Sequence, residues 1–402
     1  MKNILFGIVG WNIAETTRMI EVAKIFRDNY TCHFFSYGGA FEHLVEDEGF
    51  ILHRLQPIED DQKIQHLWKV DRGETFQQPW TIQELNQSIQ AETALIDQID
   101  PSFAFLSSVL TFSMSCKIKH VLLFNVIPLA LSRPYLEAGL PVSPFLPKWL
   151  NRMAGWTLLH VPLLVGNFRK VAKSYGIKQP RNALDVWSGD VNIVADIQAF
   201  SLLKTLPEHW YFSGPLYAHL DAQIPPAILQ ALEATLHPKI YFAMGSSANH
   251  DVLVKTLSAF EGLDVLVIAP IRSHLKPNDP IPDNVIVTEW LPAPQIMNLV
   301  DIAVTHGGQG TVQTTVMSGK PFLGIGMQPE QELNIYPFVV YGNALQIRRN
   351  NVTSHGVRTA VMMLLNQPQY HEKALSAKSI LERNNTREII RNIVTTYVNR
   401  QS

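Results

Sequence analysis

Short apolar runs alternate with amphipathic segments along most of the chain. Ile4–Val9 is continuously apolar over strand length, and Glu15–Arg27 then spaces Met19, Ile20, Ala23 and Phe26 along one helical face. Cys32–Phe35 and a short helix near Phe41–Glu46 follow, and Ser102–Leu106 and Val121–Val126 are further apolar runs. Strands without polar alternation are buried on both faces, which is the pattern of a parallel sheet covered by helices. From about Pro141 to Gly189 the pattern is less regular, with Pro, Trp and Leu throughout. Asn192–Ala195 and Trp210–Phe212 read as short strands, and Ser213–Leu216 reads as a turn. The Pro-bearing stretch 215–226 lacks periodicity and is the expected linker.

The second half repeats the alternation. Strands are expected at Ile240–Ala243, Val265–Ala269, Val285–Thr288, Ile302–Thr305 and Phe322–Ile325, with helices between them and a final helix over Arg387–Arg400. The expected fold class is α/β, with two Rossmann-like doubly wound domains facing across a cleft. Their expected bounds are 1–218 and 219–402, and the last helix is a candidate to pack back on the first domain.

Composition narrows the chemistry. A chain of 402 residues is too long for one ordinary core and suits two domains. A net charge of −2 gives no basic face for nucleic acid, so any anionic ligand must be held by local devices such as helix N-termini. Two cysteines, Cys32 and Cys116, make neither a disulfide framework nor a zinc cluster, and the expected location is the reducing cytoplasm. The first apolar run is short and lacks a cleavage pattern, so it reads as a buried strand rather than a signal peptide. The longest later run, Trp156–Val165, is broken by His160 and Pro162 and falls short of the ~20 residues of a transmembrane helix. It is suited to touching a lipid surface or an apolar substrate.

The chemistry concentrates after Ile302–Thr305. That strand leads into His306-Gly307-Gly308-Gln309-Gly310-Thr311 and then a helix ending at Gly319-Lys320-Pro321. A strand, a Gly-rich turn and a helix start present backbone N–H groups to phosphate, with Thr311 available as a cap or hydroxyl donor. The plain alternative is a tight βα turn. The spacing fits neither a Walker loop nor the dinucleotide fingerprint, since Gln313 stands where a third Gly is required.

Trp290-Leu291-Pro292, the Gly-rich turn, Gly319-Lys320-Pro321 and Pro329-Glu330-Gln331-Glu332-Leu333-Asn334 follow one another in compact order. Together they closely resemble the donor signature of the UDP-glycosyltransferase superfamily, glycosyltransferase family 1, which has the GT-B fold. The likeness extends more weakly to Gly245-Ser246-Ser247 and Gly214-Pro215, and leaves 60–190 unmatched. By that resemblance Trp290 stacks on the nucleobase, its alternative being a core Trp. His306 with Gly307 and Gly308 meets the diphosphate, Gln309 and Gly310 belong to the same donor site, and Thr311 sits at the helix start, with His306 otherwise a structural histidine. Gly245, Ser246 and Ser247 add contacts across the pyrophosphate. Glu330 and Gln331 match the pair that binds hydroxyls of the transferred sugar, or else are a favourable helix N-terminus. The resemblance implies a metal-independent, inverting hexosyl transfer from a UDP or dTDP sugar to a small-molecule or lipid-like acceptor, with no cofactor beyond the co-substrate.

The chain departs from the family pattern at three places. The loop after the first strand, Gly10 to Arg18, holds no His, and Glu15 falls at the position of the family's catalytic base. A carboxylate there is a general base or simply a first-turn residue of the helix. Trp11 and Asn12 in that loop are candidate acceptor contacts, as is Ser107, which with Ser108 stands where the family often carries an Asp. Thr314 replaces the Glu that grips the ribose in UDP-using members. Two other readings remain: a sugar-nucleotide 2-epimerase of the same fold, and a non-catalytic relative that binds a nucleotide sugar.

Overall fold

The computed structural model describes residues 1–401 except 72–73, 76, 218–222 and 246–248. Two all-parallel sheets organise them. The first contains β1 (Lys2–Gly7), β2 (Tyr30–Ser36), β3 (Ile51–Arg54), β4 (Pro101–Leu106), β5 (Leu123–Ile127), β6 (Val191–Val194) and β7 (Trp210–Phe212) in the order 3-2-1-4-5-6-7. The second contains β8 (Lys239–Ala243), β9 (Leu266–Pro270), β10 (Val285–Thr288), β11 (Ile302–Thr305), β12 (Phe322–Gly324) and β13 (Ala344–Gln346) in the order 10-9-8-11-12-13. Each sheet therefore reverses direction once, between β1 and β4 and between β8 and β11. Such a reversal opens a crevice beyond the strands' carboxyl ends, where open α/β sheets bind ligands.

The apolar runs form central strands because both sheet faces are covered. Ile4, Leu5 and Phe6 of β1, and Ile302, Ala303 and Val304 of β11, are fully buried. Six helices matter for the site: α1 (Ile13–Phe26), α2 (Ile82–Ile99), α3 (Lys148–His160), α4 (Gln309–Met317), α5 (Pro329–Tyr341) and α6 (Thr386–Gln401). Asn12 starts α1 by accepting from Ala14 N at 3.1 Å, and a Thr81–Glu84 capping box starts α2.

The region 141–189 is more regular than its sequence pattern suggests, since it contains α3 and a second helix, Gly166–Ser174. Two strands go unmarked in the sequence. β3 is an edge strand with partly exposed side chains, and β13 has only three residues.

α6 crosses back to the first sheet. Its Ile390, Ile393 and Val394 share a core with Ile4, Phe6, Phe34, Phe105 and Phe124, and it packs beside α1. The division at 218/219 and much of the linker 215–226 lie outside the described residues. Among the described residues no helix is long and apolar enough to cross a membrane.

Candidate active site

Both crevices carry chemistry, and they face each other. At the first, the loop after β1 leads into α1, whose third residue is Glu15. Its carboxylate accepts from Ser108 Oγ at 2.9 Å and from Ser107 Oγ at 3.3 Å, both at the end of β4. Ser108 holds φ at +59°, a left-handed conformation costly for a non-glycine residue, and it aims its hydroxyl at Glu15. Burial raises the Glu15 pKa above the ordinary carboxylate range, Arg18 and the two serines oppose that, and Glu330 of the other domain adds to it. Ser107 is thus a partner of Glu15. Asn12 caps α1, and Trp11 donates its indole N–H to Glu59 at 2.7 Å while packing edge-on against Trp68.

At the second crevice, β11 delivers His306 and the glycines to α4. Gly308 occupies the cap position with no side chain bonded to it, and Thr311 is the third helical residue rather than the cap. Val312 N is the first to find a helical carbonyl, Gly308 O, at 3.0 Å. The N–H groups of Gln309, Gly310 and Thr311 precede it and have no helical acceptor, which makes the α4 terminus an anion seat. Gly307 has φ +84°, and a side chain there would meet Gln331 O at 2.6 Å. A methyl on Gly308 would lie 2.6 Å from His306 Nε2, whereas one on Gly310 meets nothing nearer than Tyr217 Cβ at 3.9 Å.

His306 itself is buried. Its Nδ1–H donates to Ala243 O at 3.5 Å, and its ring lies against Gly245 and Gly308. Burial pushes its pKa down to about 4, so the ring is neutral at neutral pH and shapes the turn without adding charge. Trp290 follows β10 with 51% of its surface exposed, which rules out a core Trp. Ser246 and Ser247 lie outside the described residues.

Two expected donor contacts have other work. Gln309 Nε2 donates to Ala195 O and Asp196 Oδ1, both at 3.0 Å, and its Oε1 accepts from Arg18 Nη2 at 2.8 Å. Its amide therefore joins the domains. Thr314 donates to Gly310 O at 2.8 Å within its own helix. Glu330 and Gln331 open α5 beside the Gly-rich turn. Asn334 Nδ2 ties the two by donating to Gly307 O at 3.1 Å, and Gln331 Oε1 accepts from Met327 N at 2.9 Å. Ser143 Oγ donates to Glu332 Oε2 at 2.6 Å across the cleft. Arg18, Ser108, Asp196, Glu332 and Asn334 are site residues to which the sequence assigned no role. The Glu15–Arg18 spacing on one helical face was the available signal for Arg18.

Two Rossmann-like domains whose sheet reversals face one another, one with a Gly-rich anion seat, define the GT-B class. Residues 254–395 match the family "Erythromycin biosynthesis protein CIII-like, C-terminal domain". A "PGL/p-HBAD biosynthesis glycosyltransferase" of Mycobacterium tuberculosis is 24% identical over 93% of this chain and 87% of its own. Among solved structures, Spinosyn Forosaminyltransferase SpnP aligns with a TM-score of 0.72 at 16% identity over 99% of both chains. Glycosyltransferase VinC in complex with dTDP aligns at 0.71 and 14% over 100% of both. The chain has the GT-B fold, is similar to glycosyltransferases along nearly its whole length, and is a glycosyltransferase.

Proposed function

We propose that this chain transfers a hexosyl group from a UDP or dTDP sugar to a small-molecule or lipid-like acceptor in one inverting, metal-independent displacement. The observation that carries the reading is the meeting of Glu15 with the opposite domain. Arg18, one helical turn on, hydrogen-bonds the first residue of α4, and Glu330 at the start of α5 is close enough to raise the Glu15 pKa. An acceptor hydroxyl beside Glu15 thus faces a donor held by α4 and α5.

In the reaction the acceptor oxygen forms its bond to the anomeric carbon as the bond to the diphosphate oxygen breaks. The acceptor proton passes to Glu15, whose raised pKa makes it a stronger base than an ordinary carboxylate. The charge developing on the diphosphate is met by the free N–H groups of Gln309, Gly310 and Thr311, with the α4 dipole behind them. Arg18 adds a fixed positive charge, and its buried Nε has no hydrogen-bond partner. The half-exposed Trp290 offers a face for the nucleobase, and Glu330 and Gln331 hold sugar hydroxyls. The scheme calls for no cofactor. The two buried free thiols, Cys32 and Cys116, support a cytoplasmic setting.

Glu15→Gln tests the assignment. Turnover should fall by about 10²–10⁴-fold, the usual contribution of a general base, while nucleotide affinity holds. In the wild type, turnover should rise with pH along a limb above the ordinary 4.5, because only the ionised carboxylate accepts a proton. Wild-type turnover in the Gln variant would remove Glu15 from the mechanism.

A further inference from the structure

The outer face of α3 is unusual for a surface helix. Trp149, Met153 and Trp156 are 65, 56 and 59% exposed, and their i, i+4, i+7 spacing places them on one stripe. His160 continues it, stacked on Trp156 with ring centroids 5.0 Å apart. Arg152 shares the face, and Lys148 stands at its margin. The opposite side is buried through Asn151 and Gly155. Nothing within the described chain covers the stripe.

The charge around the stripe is one-sided. Residues 138–184 contain seven Lys and Arg and no Asp or Glu, in a chain whose net charge is −2. The acidic side chains on the short helices packed against α3 are already paired, Glu137 with Arg133, and Asp185 with Arg133 and Arg181. Exposed Trp and Met flanked by unpaired cations is the chemistry of a helix lying in the interface of an anionic bilayer. The rings enter the acyl boundary there and the cations meet the headgroups.

α3 also adjoins the cleft. Asn151 Oδ1 accepts from Val142 N and Ser143 N at 2.9 and 3.0 Å, and Ser143 bonds Glu332 of the donor domain. We infer that the α3 stripe docks this protein peripherally on anionic membrane surfaces, with the cleft held beside the lipid. The inference stands independently of which acceptor is glycosylated.

Vesicle co-sedimentation with the full chain tests it, comparing phosphatidylcholine alone with phosphatidylcholine containing phosphatidylglycerol. The wild type should partition onto the anionic vesicles, less so at high salt, and leave the zwitterionic ones largely unbound. Trp149→Ser with Trp156→Ser should weaken partitioning by about tenfold or more. Lys148→Gln with Arg152→Gln should weaken it and flatten its salt dependence. All four side chains point into solvent, so melting temperatures should stay at the wild-type value and separate lost docking from lost folding. The inference is overturned if the wild type ignores anionic vesicles, or if the Trp pair variant binds them as the wild type does. It is equally overturned by a lipid-free dimer that the Trp pair variant converts to monomer, because the stripe is then the seat of a second copy.

Discussion

By its resemblance to UDP-glycosyltransferases, Thr314 stands where UDP-sugar enzymes carry a ribose-gripping Glu. Its hydroxyl proton is already spent on Gly310 O. Gln313, the neighbour best placed to substitute, is buried and donates to Ala195 O at 2.6 Å and accepts from Leu216 N at 3.2 Å, which holds its amide toward the first domain. A site without a grip on the 2′-hydroxyl does not discriminate strongly against its absence. dTDP should therefore compete for the donor site at least as well as UDP. A UDP affinity more than about tenfold tighter, a gap of ~1.4 kcal/mol, would show that the ribose is gripped by another group. At this scale the sequence was legible where chemistry is local. The Gly-rich turn and its helix start follow from residue type and order alone. What stayed hidden depends on the other domain. Gln309 sits inside the donor motif, yet its amide reaches Ala195 and Asp196, over a hundred residues away, and no local pattern reveals that.

The strands that were legible are those buried on both faces. Val285–Thr288 and Ile302–Thr305 match β10 and β11 to the residue because an uninterrupted apolar run has few other uses in a chain with parallel pairing. The helices of the first domain were harder. α2 buries Glu92 and Ser88 among its apolar positions, so part of its inward face reads as polar. That Glu92 accepts from Tyr37, Thr111 and Ser115, and burial pushes its pKa up to about 7 from an ordinary 4.5. Between those values the folded chain keeps a proton that the unfolded chain releases. The stability contributed by Glu92 is full below about pH 4.5 and is lost as pH rises through 7. Glu92→Gln stays neutral throughout, so the variant's melting temperature relative to wild type should climb from pH 5 to pH 8. A difference independent of pH would mean that Glu92 ionises at its ordinary value.

Across the whole molecule, polar side chains help hold the domains in register, and Gln309 makes three of these hydrogen bonds. Gln309→Leu preserves volume but leaves Asp196 Oδ1 and the Arg18 guanidinium short of partners in a buried interface, while Ala195 O keeps its bond from Gln313. Each stranded group costs about 1–3 kcal/mol, so chemical denaturation should show a loss of several kcal/mol. A midpoint equal to wild type would mean that water replaces the amide freely. The return of α6 bears on synthesis. The core around β1 is completed by Ile390, Ile393 and Val394, nearly four hundred residues downstream. While the ribosome is still producing the second domain, that core has an open flank lined with Phe and Ile. The first domain to emerge is therefore the last to be sealed, and the nascent chain must shelter that flank until residues 386–401 arrive.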